Sequence, residues 1–133
     1  MASRFILDTC TWLDLSLDPA SVNPQVREMI QGEPYLHLAT ISYAEVTRKV
    51  SLGQLRLDSP IDHWLRKAAN PHVIRSMDIS IPVALEAYAL PGEFHKDPAD
   101  RLIVATARVH QLTIVTSDRK ILRYPHVQSI ASR

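Results

Sequence analysis

Leu112-Thr113-Ile114-Val115-Thr116-Ser117-Asp118 reads as a buried strand that runs directly into an acid. Residues 112–116 are apolar or β-branched and of strand length, the pattern of a strand covered on both faces. Asp118 is placed to cap a short helical turn, Arg119 to Leu122. Arg4-Phe5-Ile6-Leu7 repeats the design near the start of the chain and ends at Asp8. Tyr35 to Thr40 is a third strand candidate, and Ser42 and Glu45 follow it at capping-box spacing, opening a helix to about Leu52 that Gly53 closes. Between these strands the pattern turns helical: Thr11–Leu17, Pro24–Gln31 ahead of Gly32, Ser59-Pro60 to Ala69, and Ser80-Ile81-Pro82 through Leu90. His72 to Arg75 and Val127 to Ile130 complete the set of strands. Asp97-Pro98 opens a further helix, with Leu102, Ile103, Ala105, Thr106 and Val109 as its inward face. Strands that alternate with helices predict an α/β fold built on a parallel sheet.

Composition bounds the rest. The 133 residues, 46% hydrophobic and 22% charged, suit a single globular domain over 1–133 and argue against disorder. No apolar run has the length of a membrane span, and Met1-Ala2-Ser3 leads into the first strand without a signal-peptide core. Cys10 is the single cysteine, so no internal disulfide or multi-cysteine zinc site forms, and a reducing cytoplasm is the expected compartment. The net charge of +1 says little about partners by itself. If several acids gather at a cation, the remaining surface is basic enough to suit a polyanion.

The acids carry the chemistry. Asp8, Glu45 and Asp118 each follow a predicted strand, and Asp97 and Asp100 stand at the mouth of a helix. In open α/β sheets ligands bind beyond the carboxyl ends of the strands, so topology draws these residues together. Crowded carboxylates raise one another's pKa and stay ionised together only around a cation. Oxygen ligands select Mg²⁺ or Mn²⁺, which neutralise charge on a phosphate and activate water for phosphodiester hydrolysis. Each acid also has a structural reading: Glu45 completes a capping box, Asp97 and Asp118 are N-caps, and Asp100 lies at a third helical position favoured by the dipole. Asp8, directly after an apolar strand, is the hardest to explain structurally.

Leu7-Asp8-Thr9, Ser42-x-x-Glu45, His95-x-Asp97-Pro98-x-Asp100-Arg101 and Thr116-x-Asp118, in this order, resemble the PIN-domain ribonucleases, in particular the VapC toxin branch of bacterial toxin–antitoxin pairs. The likeness spans essentially the whole chain. Each motif is common alone; the four in order are specific. The resemblance implies a three-layer α/β/α sandwich around a central, mainly parallel, five-stranded sheet, and a metal-dependent endoribonuclease whose acidic site comprises Asp8, Glu45, Asp97, Asp100 and Asp118. Asp8, Asp100 and Asp118 are then the ligands of Mg²⁺ or Mn²⁺, and Thr9 and Thr116 hold the carboxylates in place. It also implies an RNA substrate (transfer RNA is one candidate), a homodimer, and a cognate VapB-type antitoxin. Ala99 departs from the family, where an aromatic residue is frequent, a change that bears on local packing.

Arg48, Lys49, Lys96, Arg101, Arg119 and Lys120 flank the acids and are candidates for RNA phosphate contacts, although Arg101 could instead pair with Asp97 one helical turn before it. His95 could assist proton transfer but reads more readily as incidental. Cys10 reads as a small buried residue, and Trp12 and Trp64 as core anchors. A receiver-like signalling domain would require a strand-end lysine near the C-terminus, and Arg123-Tyr124-Pro125 offers none. A degenerate PIN-like binding module would keep the fold and lack metal affinity.

Overall fold

The computed structural model describes residues 3–133; Met1 and Ala2, part of the predicted lead into the first strand, lie outside the described residues. Five strands, β1 (Phe5–Leu7), β2 (Leu36–Ala39), β3 (Ile74–Met77), β4 (Thr113–Thr116) and β5 (Ser129–Ala131), form one sheet in the order β3-β2-β1-β4-β5. Every strand pairing in it is parallel. The helices are α1 (Thr9–Leu17), α2 (Pro24–Gln31), α3 (Ile41–Ser51), α4 (Ile61–Ala68), α5 (Ile81–Ala87), α6 (Pro98–His110) and α7 (Arg119–Leu122), with a short 3₁₀ turn at Pro19–Ser21. Among the described residues no helix is long and apolar enough to cross a membrane.

Strand alternation separates two cores. Phe5, Leu7, Leu38, Ile74 and Val115 face Trp12, Val26, Ile30, Val46 and Trp64 from α1–α4. Ile6, Ala39 and Ile114 face Ile103, Val104, Ala107 and Ile121 from α6 and α7. Helix α5 packs Val83 and Ala87 against Ala105 of α6. This is the expected three-layer sandwich. The central strand β1 is buried along its whole length, which explains its uninterrupted apolar sequence. Trp12 and Trp64 are core anchors, buried with ring centroids 5.5 Å apart.

Several local expectations shift. Helix α1 begins at Thr9, two residues early, because Asp8 is its N-cap and accepts the Thr11 N–H at 2.8 Å. The acid that lacked a structural role therefore has one. Ser42 and Glu45 do not form a capping box: α3 starts at Ile41, and both side chains turn instead to Thr9. Gly53 does close that helix, at φ +71°, a left-handed conformation that favours glycine. β3 lies two residues later than expected, because the N–H groups of Val73 and Ile74 both bond the Asn70 carbonyl in a turn. Helix α5 stops at Ala87 rather than Leu90, where the Arg101 guanidinium takes the Ala87 carbonyl. In α6 the inward face includes Val104 and Ala107, whereas Val109 is exposed. Cys10 is exposed, since α1 turns Thr11 and Trp12 inward; partial desolvation and the Asp8 charge raise its thiol pKa, the wrong direction for a nucleophile. Lys120 lies within α7, so no strand-end lysine supports a receiver-like site.

Candidate active site at the switch point of the sheet

The chain leaves β1 toward β2 on one side and reaches β4 on the other, so the sheet order reverses between β1 and β4. A crevice opens at such a point beyond the carboxyl ends of the two strands. Asp8 follows β1, and Asp118 lies two residues beyond the end of β4. Helix α6 brings its N-terminus to the same crevice and supplies Asp97 and Asp100, while α3 supplies Glu45.

Asp8 is 4% exposed, and both of its carboxylate oxygens are engaged. Oδ1 accepts the Thr11 N–H, and Oδ2 accepts the Thr116 hydroxyl. Thr116 Oγ1 also accepts the Asp118 N–H at 2.9 Å, so one hydroxyl ties both strand-end acids together. Asp118 caps α7 by accepting the Lys120 N–H at 2.8 Å. Glu45 accepts the Thr9 hydroxyl; because that proton is spent on Glu45, Ser42 Oγ donates to Thr9 Oγ1 at 2.8 Å. Ser42 is fully buried and completes a relay from Ser42 through Thr9 to Glu45. Asp97 caps α6 through the Asp100 N–H at 3.1 Å.

The acids act on one another's charge. Burial, then the charges of Asp97, Asp118, Glu45 and Asp8, push the Asp100 carboxyl up to about 7. Burial also raises Glu45 against the hydrogen bond from Thr9, with Asp97 and Asp8 adding to the rise. Asp8 is raised by burial, partly offset by its bonds from Thr116 and Thr11. All five predicted acids therefore converge. The donor set fits a hard divalent cation, because crowded carboxylates of this kind stay ionised together only around positive charge.

The tightest grouping of ligand atoms differs from the expected one. His95, Asp100 and Asp118 offer atoms that all lie within 4.8 Å of one another, and Asp8 stands outside that set. His95 Nε2 lies 3.0 Å from Asp100 Oδ2, at ion-pair distance, and the inaccessible nitrogen makes no hydrogen bond. In the sequence His95 opened the motif that contains Asp97 and Asp100, but nothing there marked it as a ligand.

Among the basic candidates, Arg48, Lys96, Arg119 and Lys120 are exposed, and Lys49 is half-buried beside Glu45. Arg101 is different. Its Nε donates to the Ala87 carbonyl at 2.8 Å, and its Nη1 donates to the Phe94 and His95 carbonyls at 3.0 and 3.1 Å. It forms no ion pair with Asp97; only its backbone N–H reaches the Asp97 carbonyl. The guanidinium clamps the loop before α6.

A parallel three-layer α/β domain with carboxylates converging at the sheet's switch point is the architecture of the PIN domains, and the PIN domain family matches residues 5–127. The chain belongs to that family. Ribonuclease VapC22 of Mycobacterium tuberculosis (strain ATCC 25618 / H37Rv) is 35% identical over 115 residues, 86% of this chain and 87% of that protein. The fold is shared with VapBC2 from Rickettsia felis bound to a DNA fragment from their promoter, with a TM-score of 0.73, 15% identity and coverage of 97% of this chain and 98% of that one. It is shared also with DNA-bound VapBC from Salmonella typhimurium, with a TM-score of 0.72, 17% identity and full coverage of both chains.

Proposed function

We propose that residues 1–133 form a single PIN domain acting as a Mg²⁺- or Mn²⁺-dependent endoribonuclease of the VapC type, a cytoplasmic toxin held in check by a VapB-type antitoxin. The observation that carries this reading is the gathering of five carboxylates at the switch point, through the hydrogen bonds of Thr9, Thr116 and the α6 N-terminus, in a chain 35% identical to a ribonuclease. Asp8, Asp100 and Asp118 would hold the cation, with Thr116 orienting the two strand-end acids. When bound, the cation supplies charge neutralisation at the scissile phosphate and lowers the pKa of water. Glu45, oriented by Thr9 and with its pKa raised by burial, is suited to accept a proton from the attacking water. Asp97 holds the mouth of α6 and adds negative charge. The exposed Arg48, Lys96 and Arg119, with Lys49, would meet the RNA phosphates, which position the strand without reading its bases.

The antitoxin and a homodimer belong to the same proposal. Ile81 and Leu85 of α5, with Tyr88 at its C-terminal cap, are exposed apolar side chains, the kind of surface that assembly covers. The test of the activity is incubation of purified protein with RNA (transfer RNA included) and Mg²⁺ or Mn²⁺, beside Asp8→Asn. Asparagine keeps the α1 cap and removes the charge, so cleavage by the wild type alone is expected. Absence of cleavage, or equal cleavage by the variant, would sink the reading.

A further inference from the structure

We propose that His95 is a nitrogen ligand of the cation in this site, completing a set with Asp100 and Asp118, and that the site therefore favours Mn²⁺ over Mg²⁺. The inference rests on the reading above that the acid cluster binds a divalent cation. It adds a residue from outside the acid set and a consequence for metal preference.

The first observation is the state of His95 Nε2. The atom is buried, has no hydrogen bond, and lies 3.0 Å from Asp100 Oδ2. A simple imidazole–carboxylate pair at that distance would align its N–H with the oxygen, because buried polar groups are almost always satisfied. Here the two atoms stand at ion-pair distance and no hydrogen bond joins them. Two ligands each about 2.1 Å from one ion, at right angles, stand about 3.0 Å apart. That spacing is an octahedral edge, and Asp118 offers a third ligand atom within 4.8 Å of both.

The second observation is how firmly His95 is held. It belongs to the loop between α5 and α6, where a surface histidine would need no support. Arg101 Nη1 instead bonds the carbonyls of both Phe94 and His95. The His95 ring lies 4.5 Å from the Phe94 ring, which packs in turn 4.9 Å from that of buried Tyr124. Tyr124 donates its hydroxyl to the Pro91 carbonyl, fixing the loop further back. Metal ligands need this kind of outer support, since a ligand that must be ordered on binding lowers affinity.

The metal preference follows from ligand chemistry. Mg²⁺ binds almost only oxygen, whereas Mn²⁺, which shares its preference for carboxylate and water, also accepts an imidazole nitrogen in the same octahedron. One nitrogen among carboxylates therefore shifts the balance from Mg²⁺ toward Mn²⁺.

The experiment loads the full chain with Mn²⁺ and reads the ligand nitrogen by pulsed electron paramagnetic resonance, with calorimetry of Mn²⁺ and Mg²⁺ binding in parallel. The wild type should show the ¹⁴N coupling of a directly bound imidazole. Labelling the histidines with ¹⁵N should change that coupling, a control that needs no variant. His95→Gln should lose it and reduce the ratio of Mn²⁺ to Mg²⁺ affinity about tenfold or more, while Asp100→Asn should weaken both ions. Mn²⁺ that binds the wild type, depends on Asp100 and shows no ¹⁴N coupling overturns the role of His95 and leaves the acidic site standing. Failure of the wild type to bind either ion overturns both.

Discussion

The Thr116 hydroxyl donates to Asp8 Oδ2, joining the ends of β1 and β4 across 108 positions of sequence. The same oxygen accepts the Asp118 N–H. Thr116→Val keeps the side-chain shape and removes both bonds. The buried Asp8 carboxylate and the half-buried Asp118 N–H are then left unsatisfied, at a cost of about 1–3 kcal/mol. Asp8 also loses a bond that holds its pKa down, so divalent cation affinity should fall about 10–100-fold. Denaturant melts and calorimetry of metal binding check the two effects separately. A variant with unchanged affinity would remove Thr116 from the site.

Asp100 sets the pH response of the metal-free protein. Its carboxyl titrates at about 7 when folded, against a reference of 3.8. Between those values the folded state holds a proton that the unfolded state has released. Stability contributed by this group therefore falls as pH rises from about 4 to 7, by a few kcal/mol at most. Asp100→Asn should melt higher than the wild type at pH 8 without metal and close to it at pH 4. Added cation should stabilise the wild type more at pH 8 than at pH 5, because protons compete for the carboxylate. Thermal melts across this range, with and without Mn²⁺, decide the sign.

Asp97 and Asp100 should separate in phenotype. Asp97→Ala removes the α6 cap, at a cost of about 1 kcal/mol, with a smaller loss of cleavage. Asp100→Asn should abolish cleavage and leave the helix intact. Melting temperature and cleavage rate measured on both variants check the assignment, and the opposite pattern would reverse it.

Arg101 and Lys96 should also part company. Arg101→Met breaks three bonds to carbonyl oxygens, so loss of stability of about 2–4 kcal/mol is expected. Lys96→Ala should leave the melt unchanged, weaken RNA binding across sequences and flatten its salt dependence. Titration of RNA at two ionic strengths, on a catalytically silent Asp8→Asn background, measures the second effect.

Much of this molecule is written in local pattern. The apolar runs ending at Leu7 and Thr116, the helices Pro24–Gln31 and Arg119–Leu122, and the acids at the strand ends all follow from side-chain period and cap chemistry. Those signals act over a few residues, which is why they survive reading in one dimension. The convergence of the acids was legible too, because a parallel α/β sheet brings its strand ends to one edge. Other features depended on partners far away in sequence. Ser42 looked like a cap because Glu45 lies three residues on; only the packing of α3 beside α1 turns both toward Thr9. Arg101 looked like a free cation until the loop from Ala87 to His95 closed over its guanidinium. His95 opened a motif without any sign of a ligand's role, and its nitrogen meets Asp100 because that loop is pinned from both sides. Spacing along the chain thus determined the order of elements and the identity of the acids. The sheet order β3-β2-β1-β4-β5 and the side-chain packing it imposes decided which oxygen each hydroxyl serves and which nitrogen joins the carboxylates, since hydrogen-bond geometry exists only between atoms already brought within about 3 Å.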